Sequence, residues 1–484
     1  MIKWVNEILL GARSCFSRYA PFTWFVVTVT ALMIGQEHVG VTSIVRELCI
    51  DPNRYYGALR FFRSKAWNID TIRGWWIQVV LKSGVLHLEN GMPVQLGDGT
   101  KKSKEGRKMP CVKRLCQESE NSAKPSFIFG HMFGMAGVLA GTLGKLFCVP
   151  LGIKIHDGDH AIHQWDAEAS GKPEPKDESH VVRMIRDASG VAGEIGKSLL
   201  LLDAYYLSVP ALVALKEEAA NAGKHLLSIV VRAKKNATAY ELPVRKPGRG
   251  RPPVKGESVK LMGLFKAAKT SSSLVQTTIM MYGKEEQVSF MSRDLLWGKQ
   301  HYQLLRFVVA QISGSMPIIL ASNDLTLGPA QMIRLYSYRF KIECCFFNLK
   351  NTVAGFAYRF WSTAMPKLNR YAPTKLSPLE SVVGANDRRL VSAAFRATQG
   401  YVMMACIAVG LLQICSLRFA QEINASPIRW LRTRTNSIPT EATTADFMRK
   451  TIFKHFGEDV NLPIIHIINR LQPSHEDTKH SLVA

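Results

Sequence analysis

The alternation of apolar and polar positions divides this 484-residue chain into helical ends around an α/β middle. Residues 1–90 carry apolar residues at helical spacing. In VTSIVRELCIDPNRYYGALRFFRSK, Asp51 and Pro52 separate two helical stretches: an acid suited to cap a helix and a proline suited to its first turn. The second stretch carries Arg54, Arg60, Arg63 and Lys65, with Tyr55 and Tyr56 among them. That face fits either a helix-turn-helix lying on a duplex or a small bundle with a solvated basic face.

From residue 91 strands and helices alternate. The pattern predicts strands at 92–98, 126–140, 146–156, 198–203 and 225–232, and helices at 181–196 and 210–223. Ser198-Leu199-Leu200-Leu201-Leu202-Asp203 is almost continuously apolar, as a buried central strand should be. Pro210 opens the second helix and Gly223 stands just past its end. After 232 the rhythm stops. A hairpin at 274–281 and 287–291 turns around Gly283, and α/β order resumes with a strand at 317–320 and a long helix over 329–351.

The expected organisation is a helical DNA-binding domain at 1–90 and an α/β core at 91–232 and 316–423. A β-rich insertion at 233–315 interrupts that core. A polar helical segment at 424–484 is the candidate dimer contact. Two apolar runs bear on a membrane role. Residues 22–35 are too few to cross a hydrocarbon core of about 30 Å, and 400–417 contain Gln413. Both read as core helices, so no membrane partner is expected.

Composition then narrows the function. The chain has 62 Lys and Arg against 38 Asp and Glu, a net +24 that calls for a polyanion, and without a membrane that means nucleic acid. Nine cysteines, an odd number with no CxxC spacing, fit a reducing cytoplasm better than a disulfide framework. The opening MIKWVNEILLGARSC shows no secretory leader pattern. Much of the excess charge lies in two segments. Residues 101–114, with Lys101, Lys102 and Lys104, hold seven basic residues and one acid; residues 232–255 hold eight and one. Within the latter, Gly248-Arg249-Gly250-Arg251-Pro252 fits an AT-hook in a narrow minor groove or a flexible loop that only tracks phosphate. His156 to His163 (HDGDHAIH) reads as a polar turn rather than a metal site.

Asp98 and Asp203 end two apolar strands of what should be one sheet. A strand-end Asp often only caps the next turn, but the helix at 329–351 adds a third acid. At 3.6 residues per turn, Tyr336, Arg339, Glu343 and Lys350 fall in one stripe roughly 60° wide, beside an apolar stripe of Leu335, Ile342, Phe346 and Leu349. Two Asp and a Glu form an oxygen-only set suited to Mg²⁺, and paired ions of this kind drive phosphodiester displacement.

The spacing Tyr336-(2)-Arg339-(3)-Glu343-(6)-Lys350, with Asp98 in GDGTK and Asp203 in LLLLDAYY, resembles the signature of bacterial DDE insertion-sequence transposases of the cut-and-paste group. The resemblance covers residues 90–420. Phe340 stands where many relatives have Trp, and Cys344-Cys345 is unusual. The resemblance implies an RNase H-like core in which Asp98, Asp203 and Glu343 bind two Mg²⁺ ions, with Mn²⁺ able to substitute. It implies nicking at the element's ends, hairpinned intermediates, and joining of the 3′-OH to target DNA. Tyr336, Arg339 and Lys350 would hold phosphates. Trp297 would stack on a distorted terminal base, or else is a packed core Trp. The partners implied are terminal inverted repeats, target DNA and a second copy of the chain on DNA, in a bacterial cytoplasm at the nucleoid. Two alternatives remain: an RNase H-like nuclease without strand transfer, and a retired transposase that only binds DNA. The intact triad argues against the last.

Overall fold

The computed structural model describes residues 1–117, 125–244, 252–370, 378–426, 438–456 and 461–473. Five helices open the chain: α1 (Ile2–Gly11), α2 (Tyr19–Ile34), α3 (Val41–Glu47), α4 (Tyr55–Arg63) and α5 (Ile69–Lys82). Asp51 accepts a hydrogen bond from Asn53 N and Pro52 begins the short turn leading into α4, as the sequence suggests. The first strands are β1 (Leu88–Glu89), β2 (Met92–Ser103), β3 (Lys113–Cys116), β4 (Phe127–Thr142) and β5 (Lys145–Ile155). Two crossovers follow: α6 (His160–Ser170) and α7 (His180–Ile195) lead to β6 (Ser198–Leu202), and α8 (Val209–Asn221) leads to β7 (Leu227–Ala233). Ser179 and Ser208 cap α7 and α8 through their hydroxyls.

After β7 come β8 (Thr238–Tyr240), β9 (Ser258–Lys260), α9 (Leu261–Thr270), β10 (Val275–Met281), β11 (Lys284–Trp297), β12 (Gln303–Ile312) and β13 (Ile318–Ser322). The chain then becomes helical: α10 (Pro329–Ser337), α11 (Lys341–Asn351), α12 (Ala385–Arg418), α13 (Ala420–Ala425), α14 (Glu441–His455) and α15 (Pro463–Asn469). The protein is thus α/β. Its strands form one mixed sheet in the order β3-β4-β2-β6-β7-β13-β12-β11-β8-β9, with β5 on β4, β1 on β2 and β10 on β11. β2, β6 and β7 run parallel, and the other pairs are antiparallel. The strands of the expected insertion therefore extend the central sheet through β13.

β6 shows why its sequence reads SLLLL. Both faces of the sheet are covered, so every side chain is buried. Leu199 and Leu201 enter one core with α2, α10, α11 and α12, while Leu200 and Leu202 enter a second core with α7, α8 and α9. The first core also takes in the N-terminal helices and α14 and α15, whose Met448, Ile452, Ile464 and Ile468 turn inward. α12 is the one helix among the described residues long and apolar enough to cross a membrane, yet 94% of its apolar window is buried inside the fold. It packs along β5, α2 and α14. The run at 22–35 likewise becomes α2, buried from Phe25 to Ile34.

Two expectations need correction. The helix over 329–351 is broken: a 3₁₀ turn at Tyr338–Phe340 separates α10 from α11, and the Ser337 hydroxyl bonds back to Arg334 O at the break. A single helical projection therefore does not carry across it. The strand at 92–98 also does not end at Asp98. It continues to Ser103, because Gly99 to Ser103 keep pairing with β4.

Packing at the junction of α12, α5 and β5 gives a test. A Cβ on Gly410 would lie 2.3 Å from Trp76 Cζ2, and Trp76 is fully buried with its indole N–H bonded to Pro150 O at 2.8 Å. Gly190, within α7, has open space around it. Thermal denaturation should show Gly410→Ala lowering stability by about 1–3 kcal/mol and Gly190→Ala raising it by about 0.5–1 kcal/mol.

Candidate active site

Asp98 and Asp203 are placed by strand register. β2 and β6 pair Val94 with Leu199, Gln95 with Leu200 and Leu96 with Leu201. Continuing the same register sets Asp98 beside Asp203, on neighbouring strands about 4.8 Å apart. β6 stops at Leu202, so Asp98 lies mid-strand where its parallel neighbour has ended. Both acids share the face of Leu96 and Leu201, the side covered by α10 and α11.

Those helices complete the site. The Tyr336 hydroxyl donates to Asp203 Oδ1 at 3.1 Å. Arg339 reaches Asp98 Oδ2 at 3.4 Å through one amino group and Glu343 Oε1 at 2.5 Å through the other. Tyr336 from α10 and Arg339 from the 3₁₀ turn reach the two aspartates from the same side despite the break. Asp98, Asp203, Tyr336, Arg339 and Glu343 thus converge. Lys350 lies two turns further along α11, in a neighbouring basic cleft.

Burial pushes the Asp98 carboxyl up to about 6. The Gly99 N–H and Arg339 oppose that rise, while the negative charges of Asp203 and Glu343 add to it. Burial and the Asp203 charge likewise raise the Tyr336 phenol. Burial works against the Arg339 charge, but the bond to Glu343 and its other neighbours leave that pKa raised.

The opposite face of the sheet explains the glycine after Asp98. Gly99 pairs with Gly134 across β2 and β4. A Cβ on Gly134 would lie 2.0 Å from the His156 ring, and one on Gly99 would lie 2.8 Å from His180 Nε2. The two imidazoles fill the slot and face each other, Nδ1 to Nδ1, at 2.9 Å. Asp187 holds His156 at 2.8 Å and the Tyr206 hydroxyl holds His180 at 2.7 Å. Four polar residues of HDGDHAIH serve the frame. His156 enters this stack, Asp157 pairs with Lys113, and Asp159 holds Arg183 and His163.

Other expected contacts fall differently. The Lys104 ammonium is turned inward, donating to Phe356 O at 2.7 Å and Tyr358 O at 2.9 Å and lying 3.5 Å from the Tyr358 ring centre. Burial, with Lys102 and Arg359 nearby, lowers its pKa to about 7. It straps two segments together instead of standing open to phosphate. Lys101 donates to Cys116 O at 2.5 Å, while Lys102 lines the basic cleft. Trp297 is partly buried against the second core at the end of β11. An exposed aromatic near the carboxylates is Tyr282, at the opposite end of β11 in the β10–β11 turn, with Arg339 and Glu343 as its charged neighbours. The sequence marks the turn through Gly283 but not which end of the hairpin meets the site. Arg249 and Arg251 lie outside the described residues.

The carboxylates suit a hard cation in chemistry, being an oxygen-only set. Among the described residues, however, no three His, Cys, Asp or Glu side chains form a ready metal cage. The Arg339 guanidinium lies between Asp98 and Glu343 and would have to move aside. Compared with known proteins, the chain matches no protein-family model and no curated protein.

Asp98 yields a stability prediction. Its folded pKa, about 6, lies above the ordinary 3.8, so the folded state holds the proton more tightly. The ionised form therefore costs nothing below about pH 4, costs more as pH rises, and costs fully above about pH 6. Asp98→Asn should melt higher than the wild type at neutral pH, by roughly 2–3 kcal/mol, with the gap closing near pH 4.

Proposed function

We propose that this chain is a DNA transposase of the DDE insertion-sequence type, cutting the ends of its element and joining them to target DNA. The observation carrying this reading is the convergence of Asp98, Asp203, Tyr336, Arg339 and Glu343 from two strands and a broken helix far apart in sequence. The strand order β5-β4-β2-β6-β7, with β2, β6 and β7 parallel, supports an RNase H-like core.

Asp98, Asp203 and Glu343 would hold two divalent ions. Such ions, when bound, activate the attacking oxygen and offset charge on the leaving oxygen. Arg339 holds the acids together beforehand and, once released, supplies a bidentate donor for the scissile phosphate. Tyr336 fixes the Asp203 carboxylate. Lys350 takes a phosphate further along the strand, and Tyr282 is placed to touch the DNA end. Cut-and-paste chemistry needs two ends together, so a dimer forms on DNA. The chain works at the nucleoid of a bacterial cytoplasm.

Arg339 standing where a cation would sit favours a second reading, a retired transposase that only binds DNA. One assay separates the readings: protein, Mg²⁺ and duplex DNA spanning the borders of its own coding region. Transposition requires nicks with 3′-OH ends and joined products. Nicks alone would leave a nuclease, and intact DNA a binding protein. Glu343→Ala should lose at least about a hundredfold in cleavage, as expected when several kcal/mol of charge stabilisation go, while DNA binding persists. A variant that still cuts would remove Glu343 from the site.

A further inference from the structure

We infer that the basic cleft beside α11 binds an unpaired stretch of DNA, with Trp361 as the platform for a base. The inference rests on the nucleic-acid reading above but not on catalysis. The cleft encloses about 830 Å³ between residues 102–109 and 356–367. Its walls are built in advance. Leu368 N donates to Arg107 O at 2.7 Å, Ser362 N donates to Lys108 O at 3.1 Å, and the half-buried Lys104 joins the same two segments.

Lys102, Arg107, Arg359 and Lys367 line this frame, and Glu105 is the one carboxylate among the lining residues. Among the described residues none of these four cations makes an ion pair, whereas Lys113, Lys154, Arg183 and Arg186 elsewhere all do. Three of the four, Arg107, Arg359 and Lys367, stand exposed, and cations spaced along a groove attract a counter-charge repeated along a chain, which a phosphate backbone supplies.

Trp361 decides the form of that chain. It is 54% exposed at the cleft although its neighbour Phe360 is buried against Phe62 and Tyr401. Its carbonyl accepts from Arg63 at 3.2 Å, so the backbone is held and the indole is presented. In a duplex each base face is covered by its neighbours; only an unpaired or terminal base offers one for stacking. The path also joins the carboxylates. Glu343, Phe347 and Lys350 share a face of α11 at spacings of four and three, Phe347 is 62% exposed, and Lys350 lines the cleft. A strand leaving Glu343 runs over Phe347 into the groove.

The test uses the full chain with a chelator, so that cleavage plays no part. Fluorescence anisotropy follows a labelled oligothymidylate and a duplex of equal length, with polyglutamate as competitor. Trp361→Ala should weaken oligothymidylate binding about tenfold and duplex binding little, while Trp361→Phe keeps most of the affinity. Arg359→Glu with Lys367→Glu should weaken binding and flatten its salt dependence. Unchanged binding by Trp361→Ala, equal losses on both DNAs, or polyglutamate competing as well as oligothymidylate would overturn the inference. If the wild type cuts no DNA in Mg²⁺ yet shows this dependence on Trp361, the catalytic reading falls and the strand site stands.

Discussion

Carboxylates gathered at one edge of a sheet repel one another, and at about 5 Å and an effective dielectric near 20 each pair costs about 3 kcal/mol. In this chain the opposing charge is Arg339, bonded to Asp98 and Glu343 while Tyr336 bonds Asp203. Much of the fold serves that meeting. Two parallel strands set the aspartates side by side, a broken helix brings the guanidinium over them, and a core on each face keeps β6 fixed. The Asp98 pKa is nonetheless raised, by burial first and by the Asp203 and Glu343 charges after it. A buried acid that its surroundings do not fully pay for is common where a site is made for a ligand rather than for stability.

The frame behind the site is as specific as the site itself. Gly99 and Gly134 face each other across two strands because two imidazoles occupy the space their side chains would need. The second glycine of GDGTK, Gly99, is thus explained by packing on the side away from Asp98. The interior position of Lys104 has a similar logic. Its ammonium is neutralised in part by burial and satisfied by two carbonyls, tying the segment that leaves β2 to the one that follows α11. The groove lined by Lys102, Arg107, Arg359 and Lys367 exists because that tie is made.

How much was legible in the sequence depended on the range of the interaction. β6, α7 and α8 were readable within a residue or two, since apolar runs and caps are local signals. The approach of Asp98, Asp203 and Glu343 was readable only through spacing that resembles a family's. The extension of β2 past Asp98 was not, because its partner on β4 lies some thirty residues away. The break at Tyr338–Phe340 was hidden because the flanking residues keep helical spacing. Trp297 is singled out in the sequence as an aromatic of the insertion, whereas the hairpin's turn, with Tyr282, is the end that lies near Arg339 and Glu343. The basic residues of 101–114 were visible as charge, while their division into an inward strap and an outward groove required the packing of 356–370.

The proposed function requires these carboxylates to form a hard-cation centre that Arg339 holds only until an ion arrives. Calorimetric titration of Mn²⁺ into the protein tests it most directly. Saturable binding to the wild type is expected, with its loss in Asp203→Asn and tighter binding once Arg339→Ala removes the competing guanidinium. Equal Mn²⁺ binding by wild type and Asp203→Asn, or weaker binding by Arg339→Ala, would contradict it.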